Sequence, residues 1–529
     1  MSRLTEEQEA FVATTFKDVL LLKALAGCGK TTSLVAFAEA RKNEGRMLYL
    51  AYNAAMAKES IAKFKHLEHV DVKTVHSLAF NAIGKPFKDR LGNLRPVDMM
   101  PYIEHDSKSS DNAIVATSRA TVLLKLLKKF CQSSMSLNEF EAYHKEHRAE
   151  TIKEFGPSVV YALERLPKLW KEVRTNPALP FEHDFYLKLF QLANPQLDYR
   201  YILLDEAQDA SPVMSAVVLG QRAAKKVFVG DSYQQIYSWR GAVNALKSLE
   251  GKVDECWLTE SWRCSEQIAV EANRFLRMLG SPKPIVGKGS SDDKSKAFIA
   301  RRTVTAFEYC LRRIEENPEV KLAFVGGIKS YNTSDIIDVG RFMGYKPESG
   351  RVKPKIYNKQ IDRHASWEDF MEYVRNAEES DLSSWVNAAL RLKDILASDT
   401  TLHVFGPRPT QDGQAYRPTT LFEFFDILKA HIVTDEKDAD IVITNAHKSK
   451  GREWGEVTLA DDFIDIRKVI ASLITGEKSI EEVQVEELNL LYVAVTRAKH
   501  TANADVVLVT DDDVLTFREL VAQGAIILV

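Results

Sequence analysis

Short apolar runs alternate with longer amphipathic stretches over the first part of the chain, a pattern typical of parallel α/β sheets. The apolar runs predict buried strands at residues 19–22, 47–51 and 70–75. The stretches that follow the first two runs predict helices at residues 31–42 and 54–64. Strands that alternate with helices in this way indicate the beginning of a doubly wound parallel sheet.

Two mainly helical stretches interrupt this α/β pattern farther along the chain. Strand patterns resume after them at residues 201–204, 226–229, 441–443, 456–459 and 505–509. We therefore predict an α/β fold with two parallel-sheet cores, each carrying a mainly helical insertion. The predicted boundaries are 1–84 and 196–255 for the first core, 85–195 for its insertion, 256–330 and 430–529 for the second core, and 331–429 for the second insertion.

Composition narrows the class of protein without indicating a partner. Hydrophobic residues make up 45% and charged residues 27% of the chain, which is the balance of a globular protein. The formal net charge of −3 does not indicate a polybasic nucleic-acid or membrane protein. Five cysteines without a CxxC pair argue against a disulfide framework or structural zinc. We expect a soluble intracellular protein of the cytoplasm, nucleoid or nucleus, with no membrane partner.

Residues 24–32, with the sequence ALAGCGKTT, lie between a predicted strand and a predicted helix. This is the setting of a phosphate-binding loop, in which small residues let backbone N–H groups surround phosphate oxygens at a helix N-terminus. Lys30 would reach the β and γ phosphates of ATP, and the Thr31 hydroxyl would hold Mg²⁺. Ala24 replaces the first glycine of the usual motif. The predicted loop residues are Ala26, Gly27, Cys28, Gly29, Lys30, Thr31 and Thr32. The alternative is an ordinary glycine-containing turn.

Two adjacent carboxylates, Asp205 and Glu206, follow the predicted strand at 201–204. This position suits nucleotide hydrolysis, with Asp205 holding Mg²⁺ through water and Glu206 orienting and deprotonating the attacking water. A solvated acidic turn is the alternative, and the phosphate-binding loop makes that alternative much weaker.

Further segments, in order along the chain, resemble the motifs of superfamily one DNA helicases of the UvrD/Rep type. They are Leu4-Thr5-x-x-Gln8 and residues 51–53, 73–77, 230–242, 258–263, 445–454 and 491–499. Residues 241–246 and 326–330 resemble the F-box DNA helicase branch most closely. Because the first motif begins at Leu4, we expect a motor without an F-box.

The resemblance implies that both cores are RecA-like P-loop NTPase motor domains, and it assigns roles in an ATP site. Gln8 matches a residue that recognises adenine, Trp262 one that stacks on it, and Glu453 one near the ribose. The family often has an arginine where this chain has Thr32, so base recognition would rest on Gln8 and Trp262.

The resemblance also assigns catalytic roles. Gln234 matches a sensor of the γ-phosphate, and Arg263 and Arg497 match arginine fingers of the second motor domain. Guanidinium groups neutralise charge that develops on the transferred phosphoryl group, an effect of about 10³–10⁵ in rate. Apolar residues recur at helical spacing before Arg497, which predicts a core helix with the Arg497 side chain beyond it, facing a cleft. These apolar residues are Leu488, Leu491, Tyr492 and Val495.

Aromatic and polar residues in these motifs match a track for single-stranded nucleic acid. Tyr237 and Trp239 match aromatics on which bases stack, at about 1–3 kcal/mol per base. The polar residues matched to the track are Asn53, Thr74, His76, Thr444 and His447. For any one aromatic or histidine taken alone, core packing is the alternative.

Together these features predict an ATP-driven DNA helicase or translocase that moves along single-stranded DNA. The resemblance implies 3′→5′ movement, a role in repair or recombination, and ATP with Mg²⁺ as cofactors. The expected partners are single-stranded DNA, single-strand/duplex junctions, and recombinase filaments or replication and repair proteins, with the chain acting as a monomer. An RNA helicase or nucleoprotein remodeller with the same motor, and an inactive motor used as a clamp, are the alternatives.

Overall fold

The computed structural model describes residues 3–103, 110–238, 241, 243–377, 380–397, 420–504 and 508–529. The chain forms two compact units, residues 1–260 (unit 1) and 261–529 (unit 2). Unit 1 extends past residue 255, where the sequence pattern placed the end of the first core, because a further strand at Asp254–Leu258 joins its sheet. Each unit is an α/β structure built on a parallel sheet.

Unit 1 contains a six-stranded parallel sheet. Its strands are β1 (Val19–Ala24), β2 (Met47–Ala51), β3 (Val70–Thr74), β4 (Tyr201–Leu204), β5 (Lys225–Gly230) and β6 (Asp254–Leu258). The strand order is β3-β2-β4-β5-β1-β6, so β1 lies between β5 and β6. Strand β1 is buried along its whole length, including the apolar run predicted at residues 19–22. The carboxyl ends of parallel strands lie along one edge, which therefore collects the loops after β1, β4 and β5.

Helices cover this sheet and form the first insertion. They are α1 (Glu6–Ala13), α2 (Lys30–Ala40), α3 (Ala54–Phe64), α4 (Val75–Ala79), α5 (Pro96–Met99), α6 (Ser110–Gln132), α7 (Leu137–Glu146), α8 (Arg148–Phe155), α9 (Val159–Thr175), α10 (His183–Ala193), α11 (Pro212–Leu219) and α12 (Ala245–Leu249). One continuous hydrophobic core contains Leu48 and Ile202 of the sheet together with Leu127 and Trp170 of the insertion. The insertion is therefore packed on the sheet that carries it.

Unit 2 repeats the architecture with a five-stranded parallel sheet in the order β10-β11-β9-β12-β14. The strands from β7 onward are β7 (Glu260–Ser261), β8 (Val286–Gly287), β9 (Lys296–Ala300), β10 (Leu322–Phe324), β11 (Ile441–Asn445), β12 (Trp454–Leu459), β13 (Glu481–Val483), β14 (Ala498–Asn503) and β15 (Ile526–Leu528). The last strand of this sheet, β14, lies before the strand predicted at 505–509, most of which falls outside the described residues. Strands β13 and β15 form a separate parallel pair.

The helices of unit 2 are α13 (Glu266–Met278), α14 (Thr303–Glu316), α15 (Thr333–Phe342), α16 (Lys359–Asp362), α17 (Trp367–Ala377), α18 (Ser380–Ala397), α19 (Leu421–Ala430), α20 (Ala446–Ser449), α21 (Ile466–Ile474), α22 (Val485–Val495) and α23 (Asp511–Ala522). The predicted core positions of α22 are confirmed, since Leu488, Leu491, Tyr492 and Val495 are all buried. Among the helices of the described ranges, none has both the length and the apolar character needed to cross a bilayer.

Candidate functional site

The loop between β1 and α2 has the backbone conformation of a phosphate cradle. Gly27 and Gly29 adopt left-handed φ angles of 73° and 77°, which glycine accepts without steric cost. Gly29 is the N-cap of α2 and supplies no side-chain acceptor for the first helical N–H groups. Those N–H groups and the helix dipole therefore point toward the position that an anion would take.

Lys30, the first residue of α2, pairs with Glu206 at the carboxyl end of β4. The Nζ atom donates to Glu206 Oε1 at 2.8 Å, and both side chains are 15% exposed. Burial lowers the pKa of Lys30, but the carboxylates of Glu206 and Asp205 outweigh it, so the pKa of Lys30 is raised. Lys30 is therefore a firmly charged cation at the phosphate loop.

Asp205 is buried beside this pair. The Tyr49 hydroxyl donates to Asp205 Oδ2 at 2.5 Å, and the Ser60 hydroxyl in turn donates to Tyr49 at 3.3 Å. Burial and the neighbouring carboxylate of Glu206 raise the pKa of Asp205. A cation bound nearby would favour the ionised form that this environment penalises. Tyr49 could be predicted only as a core strand residue, because its partner lies far away in the sequence.

Glu206 adopts a left-handed conformation with φ of 50°, which costs a non-glycine residue roughly 1–2 kcal/mol. This turn directs the two oxygens of Glu206 to different partners, because Gln208 Nε2 donates to Oε2 at 2.5 Å while Lys30 binds Oε1. Backbone strain of this kind often occurs at functional sites. The conformation is consistent with a carboxylate that is aimed at the phosphate loop.

Gln234 joins the same network through Asp231, which follows β5. Gln234 Nε2 donates to Asp231 Oδ2 at 2.8 Å, and the Asp231 N–H donates to Gln208 Oε1 at 3.1 Å. A Cβ atom on Gly230 would lie 2.0 Å from Gln208 Oε1, so only glycine allows this approach. The structure thus brings Asp205, Glu206 and Gln234 together on neighbouring strands, and it adds Gln208 and Asp231, which the motif pattern did not single out.

Gln8 packs against the phosphate loop. It forms a capping box with Thr5 at the start of α1, and its Nε2 donates to the Cys28 carbonyl at 3.4 Å. A Cβ atom on Gly29 would lie 2.6 Å from that nitrogen. Gln8 is therefore placed beside the loop, and its role in recognising the base stays a prediction.

Unit 2 brings together two of its predicted ATP-site residues. Arg263 Nε donates to Glu453 Oε2 at 2.7 Å, and Lys499 Nζ lies 3.4 Å from Glu453 Oε1 and 2.9 Å from Asp293 Oδ2. Burial raises the pKa of Glu453, but the charges of Arg263 and Lys499 outweigh this effect, so the pKa is lowered overall. Asp293 and Lys499 were not singled out from the sequence. The indole of Trp262, beside Arg263, is 60% exposed and thus open to a stacking partner.

Arg497 does not have the open side chain that the sequence pattern predicted. Its side chain is buried, with Nε donating to the Val493 carbonyl at 2.9 Å and Nη1 to the Arg452 carbonyl at 3.2 Å. Burial continues past the end of α22 through Thr496 and Ala498, and the guanidinium is held by backbone acceptors there. The assignment of Arg497 as an arginine finger stays a prediction.

Three predicted nucleic-acid residues line one cavity of about 880 Å³ in unit 1: Asn53, Thr74 and His76. The side chains of Asn53 and Thr74 also accept hydrogen bonds from backbone N–H groups at the N-termini of α3 and α4. The same polar groups therefore stabilise the two helices. His76 Nε2 lies 3.2 Å from Asp184 Oδ1. Asp184 belongs to the insertion, which contributes to the cavity several residues that motif reasoning missed: Gln132, His183, Asp184 and Tyr186.

The remaining predicted track residues are distributed over both units. Tyr237 stacks on Tyr52, with ring centroids 6.1 Å apart, and Tyr52 lines the cavity of unit 1 described above. Trp239 lies outside the described residues. In unit 2, Thr444 is buried at the carboxyl end of β11, and His447 lies in α20 directly after that strand.

The parallel sheet, the glycine loop and the Lys30–Glu206 pair define unit 1 as a P-loop nucleotide-binding structure. Residues 4–250 match the family model of the UvrD/REP helicase N-terminal domain. The resemblance stated from the motifs is therefore confirmed.

Similarity to individual proteins extends over most of the chain. It is 28% identical over 525 residues to F-box DNA helicase 1 of Gallus gallus, covering 94% of this chain and 48% of that protein. It is 26% identical over 537 residues to F-box DNA helicase protein 1 of Schizosaccharomyces pombe, covering 94% and 56%. The ATP-dependent DNA helicase PcrA of Staphylococcus epidermidis is 24% identical over 339 residues, covering 59% of this chain and 46% of PcrA. The chain thus spans about half the length of these relatives.

Proposed function

We propose that the chain is an ATP-driven DNA helicase or translocase that moves 3′→5′ along single-stranded DNA and unwinds duplex in repair or recombination. One observation carries the ATP-hydrolysing part: Lys30 of the phosphate loop is paired with Glu206 at 2.8 Å, beside the buried Asp205. The names of the similar proteins, which are DNA helicases, support the choice of substrate.

The residues of unit 1 have the chemistry that ATP hydrolysis needs. The Lys30 ammonium binds phosphate oxygens, which releases Glu206 to accept a proton from the attacking water. Gln234, held by Asp231 at 2.8 Å, would sense the terminal phosphate. The Thr31 hydroxyl and the Asp205 carboxylate are hard oxygen donors of the kind that Mg²⁺ prefers, and this ion would neutralise phosphate charge when bound.

We also propose roles for residues of unit 2. Arg263, held by Glu453 at 2.7 Å, has a partly open guanidinium, whereas Arg497 is buried. We propose that both stabilise the charge on the transferred phosphoryl group, and that Trp262 stacks on the base.

The cavity lined by Asn53, Thr74 and His76 is the proposed track for the DNA strand in unit 1. Polar groups there suit phosphate oxygens, and Tyr237 suits an unstacked base. In unit 2, we propose that Thr444 and His447 contact the DNA strand. We propose that the chain works as a monomer on single-strand/duplex junctions, where recombinase filaments or repair proteins would be its further partners.

The first test is ATP hydrolysis by a Lys30→Ala variant, measured with and without oligonucleotides. We expect hydrolysis to be abolished, while Lys42→Ala, which removes an exposed lysine beyond α2, keeps the wild-type rate. A Lys30→Ala protein that hydrolyses ATP at the wild-type rate would overturn the motor assignment.

The second test is substrate choice and direction. Stimulation of hydrolysis by DNA but not by RNA of the same sequence would support the DNA assignment, whereas equal stimulation would favour the RNA helicase alternative. Strand displacement from duplexes with a 3′ tail but not with a 5′ tail is the expected direction, and the reverse preference would overturn it.

A further inference from the structure

A short segment of unit 2 carries a concentration of positive charge. Residues 351–363 contain five basic side chains and one acidic side chain, although the chain as a whole has a net charge of −3. The segment runs from the end of a turn into α16 (Lys359–Asp362) within the second insertion. A local basic face on a slightly acidic chain is the electrostatic pattern of a phosphate-binding surface.

The side chains of this segment divide into an outward and an inward set. Lys355, Tyr357 and Lys359 are exposed, with the Tyr357 ring 66% exposed. Ile356 and Ile361 are buried in the hydrophobic core of unit 2. The two lysines and the tyrosine are therefore open to solvent, while the two isoleucines anchor the backbone in the core.

The backbone around Tyr357 is held by a buried carboxylate. Asp338 is 2% exposed, and its Oδ2 accepts the N–H groups of Tyr357 at 2.7 Å and of Asn358 at 2.8 Å. Asn358 also donates to Asp335 Oδ1 at 2.7 Å. The exposed aromatic ring is therefore presented on an ordered backbone, which reduces the entropy that a ligand must overcome on binding.

The two exposed lysines of this segment are available to a ligand. In the described ranges, no carboxylate forms an ion pair with Lys355 or Lys359, whereas Lys353 pairs with Asp362 at 3.3 Å. Lys355 Nζ lies 5.0 Å from the Tyr357 ring centroid, and the Arg341 guanidinium lies 5.6 Å from it. Arg341 is itself paired with Asp338 Oδ1 at 3.2 Å, so of these two cations only Lys355 is without a carboxylate partner in the described ranges.

This combination selects one class of ligand. Lysine ammonium groups bind phosphates, and an exposed tyrosine face stacks on a base that is itself unstacked. Duplex DNA keeps its bases stacked inside the helix, and an acidic peptide would gain little from the ring. We propose that Tyr357, flanked by Lys355 and Lys359, is a contact for single-stranded DNA in addition to the track lined by Asn53, Thr74 and His76. The proposal rests on the proposed function, because it takes the strand to be DNA.

The test compares binding of two fluorescent probes, an oligothymidylate and an abasic strand of the same length. Tyr357→Ala should weaken binding of the oligothymidylate about tenfold and leave the abasic strand unaffected, because only the former offers a base to stack. Tyr357→Phe, which keeps the aromatic face, should restore wild-type affinity. If Tyr357→Ala bound the oligothymidylate as tightly as wild type does, the stacking contact would be overturned.

The lysines are tested by the double variant Lys355→Ala/Lys359→Ala. It should weaken both probes and reduce the slope of log affinity against log salt by about 1.4, since each phosphate contact contributes about 0.7 for a single strand. The control Lys468→Ala/Lys478→Ala removes the same charge from exposed positions elsewhere in unit 2 and should change neither value. An unchanged salt slope, or competition by polyglutamate equal to that by DNA, would overturn the proposal.

Wild-type ATP hydrolysis is measured in the same preparations, and thermal unfolding confirms that each variant is folded. If the wild type hydrolyses ATP and is stimulated by DNA but the Tyr357 and lysine variants bind like wild type, only this contact fails. If the wild type does not hydrolyse ATP, the proposed function fails instead.

Discussion

The Lys30 ammonium and the Glu206 carboxylate lie 2.8 Å apart, so two groups with separate roles in the proposed reaction bind each other in this structure. The pair satisfies two partly buried charges at the end of β4 and the start of α2. Phosphate oxygens would compete with Glu206 for Lys30. ATP binding would thereby release the carboxylate that we propose as general base.

Glu206→Gln should therefore separate binding from hydrolysis. We expect ATP turnover to fall by about 10²–10⁴, the usual contribution of a general base, while nucleotide affinity is retained or increased because Lys30 loses a competitor. Steady-state hydrolysis and titration with a fluorescent nucleotide measure the two effects. Glu68→Gln, at an exposed position of the same unit, is the control. Wild-type turnover in Glu206→Gln would contradict the assignment.

Gly29→Ala should damage the phosphate loop. The φ of 77° costs an alanine roughly 1–2 kcal/mol, and the new Cβ would lie 2.6 Å from Gln8 Nε2. We expect a loss of about that size in the free energy of unfolding, together with weaker nucleotide binding. Gly92→Ala, whose Cβ would meet nothing closer than 3.5 Å, should be tolerated. Equal urea unfolding curves for the two variants would refute the prediction.

Asp184 is expected to act as a positioning residue for His76. The two side chains lie 3.2 Å apart, and Gln132 Nε2 donates to the other Asp184 oxygen at 3.4 Å. Asp184→Ala should raise the DNA concentration for half-maximal ATPase stimulation roughly fivefold, equivalent to about 1 kcal/mol, without changing maximal turnover. Asp184→Asn, which keeps an acceptor for His76, should rescue most of this effect, and the exposed control Asp198→Ala should have none. A change in maximal turnover alone would count against the positioning role.

The two predicted arginine fingers should behave differently on substitution. Arg263→Ala should reduce turnover by about 10³ or more, with little effect on stability, because Arg263 pairs with the exposed Glu453. Arg497→Ala should reduce turnover and also lower the thermal unfolding midpoint, because it removes a buried group bonded to the Val493 and Arg452 carbonyls. The control is Arg312→Ala, at an exposed position of unit 2. If Arg497→Ala lowered only nucleotide affinity, its assignment as a finger would be wrong.

Asp293 should make the stability of unit 2 depend on acid pH. Burial raises its pKa, but the Ser295 N–H and the Lys499 ammonium outweigh this and lower the pKa to about 2. The ionised form therefore stabilises the fold fully at pH values above the ordinary pKa of 3.8. This stabilisation is lost as the pH falls toward 2. Asp293→Asn should unfold at a lower temperature than wild type at pH 7, and the difference should shrink between pH 4 and pH 2. A constant difference, or the same effect in the exposed neighbour Asp292→Asn, would contradict this prediction.

The local pattern of the chain was sufficient to predict several of the strands and the phosphate loop. The runs at 47–51 and 201–204 are observed as β2 and β4 with the predicted bounds, because a strand buried on both faces must be apolar along its length. The glycines of the loop and Lys30 are close in sequence, so their shared function is visible in one short segment. The same holds for α22, whose apolar spacing predicted its buried face.

Tertiary structure alone determined which distant side chains meet. Tyr49 and Asp205 are 156 positions apart, and His76 and Asp184 are 108 apart, so no local periodicity relates them. The burial of Arg497 likewise depends on carbonyls at the end of α22 and at Arg452, and its place after an apolar stripe suggested the opposite. Local spacing specifies the period and burial of an element, whereas pairing between elements depends on how the sheets and insertions pack.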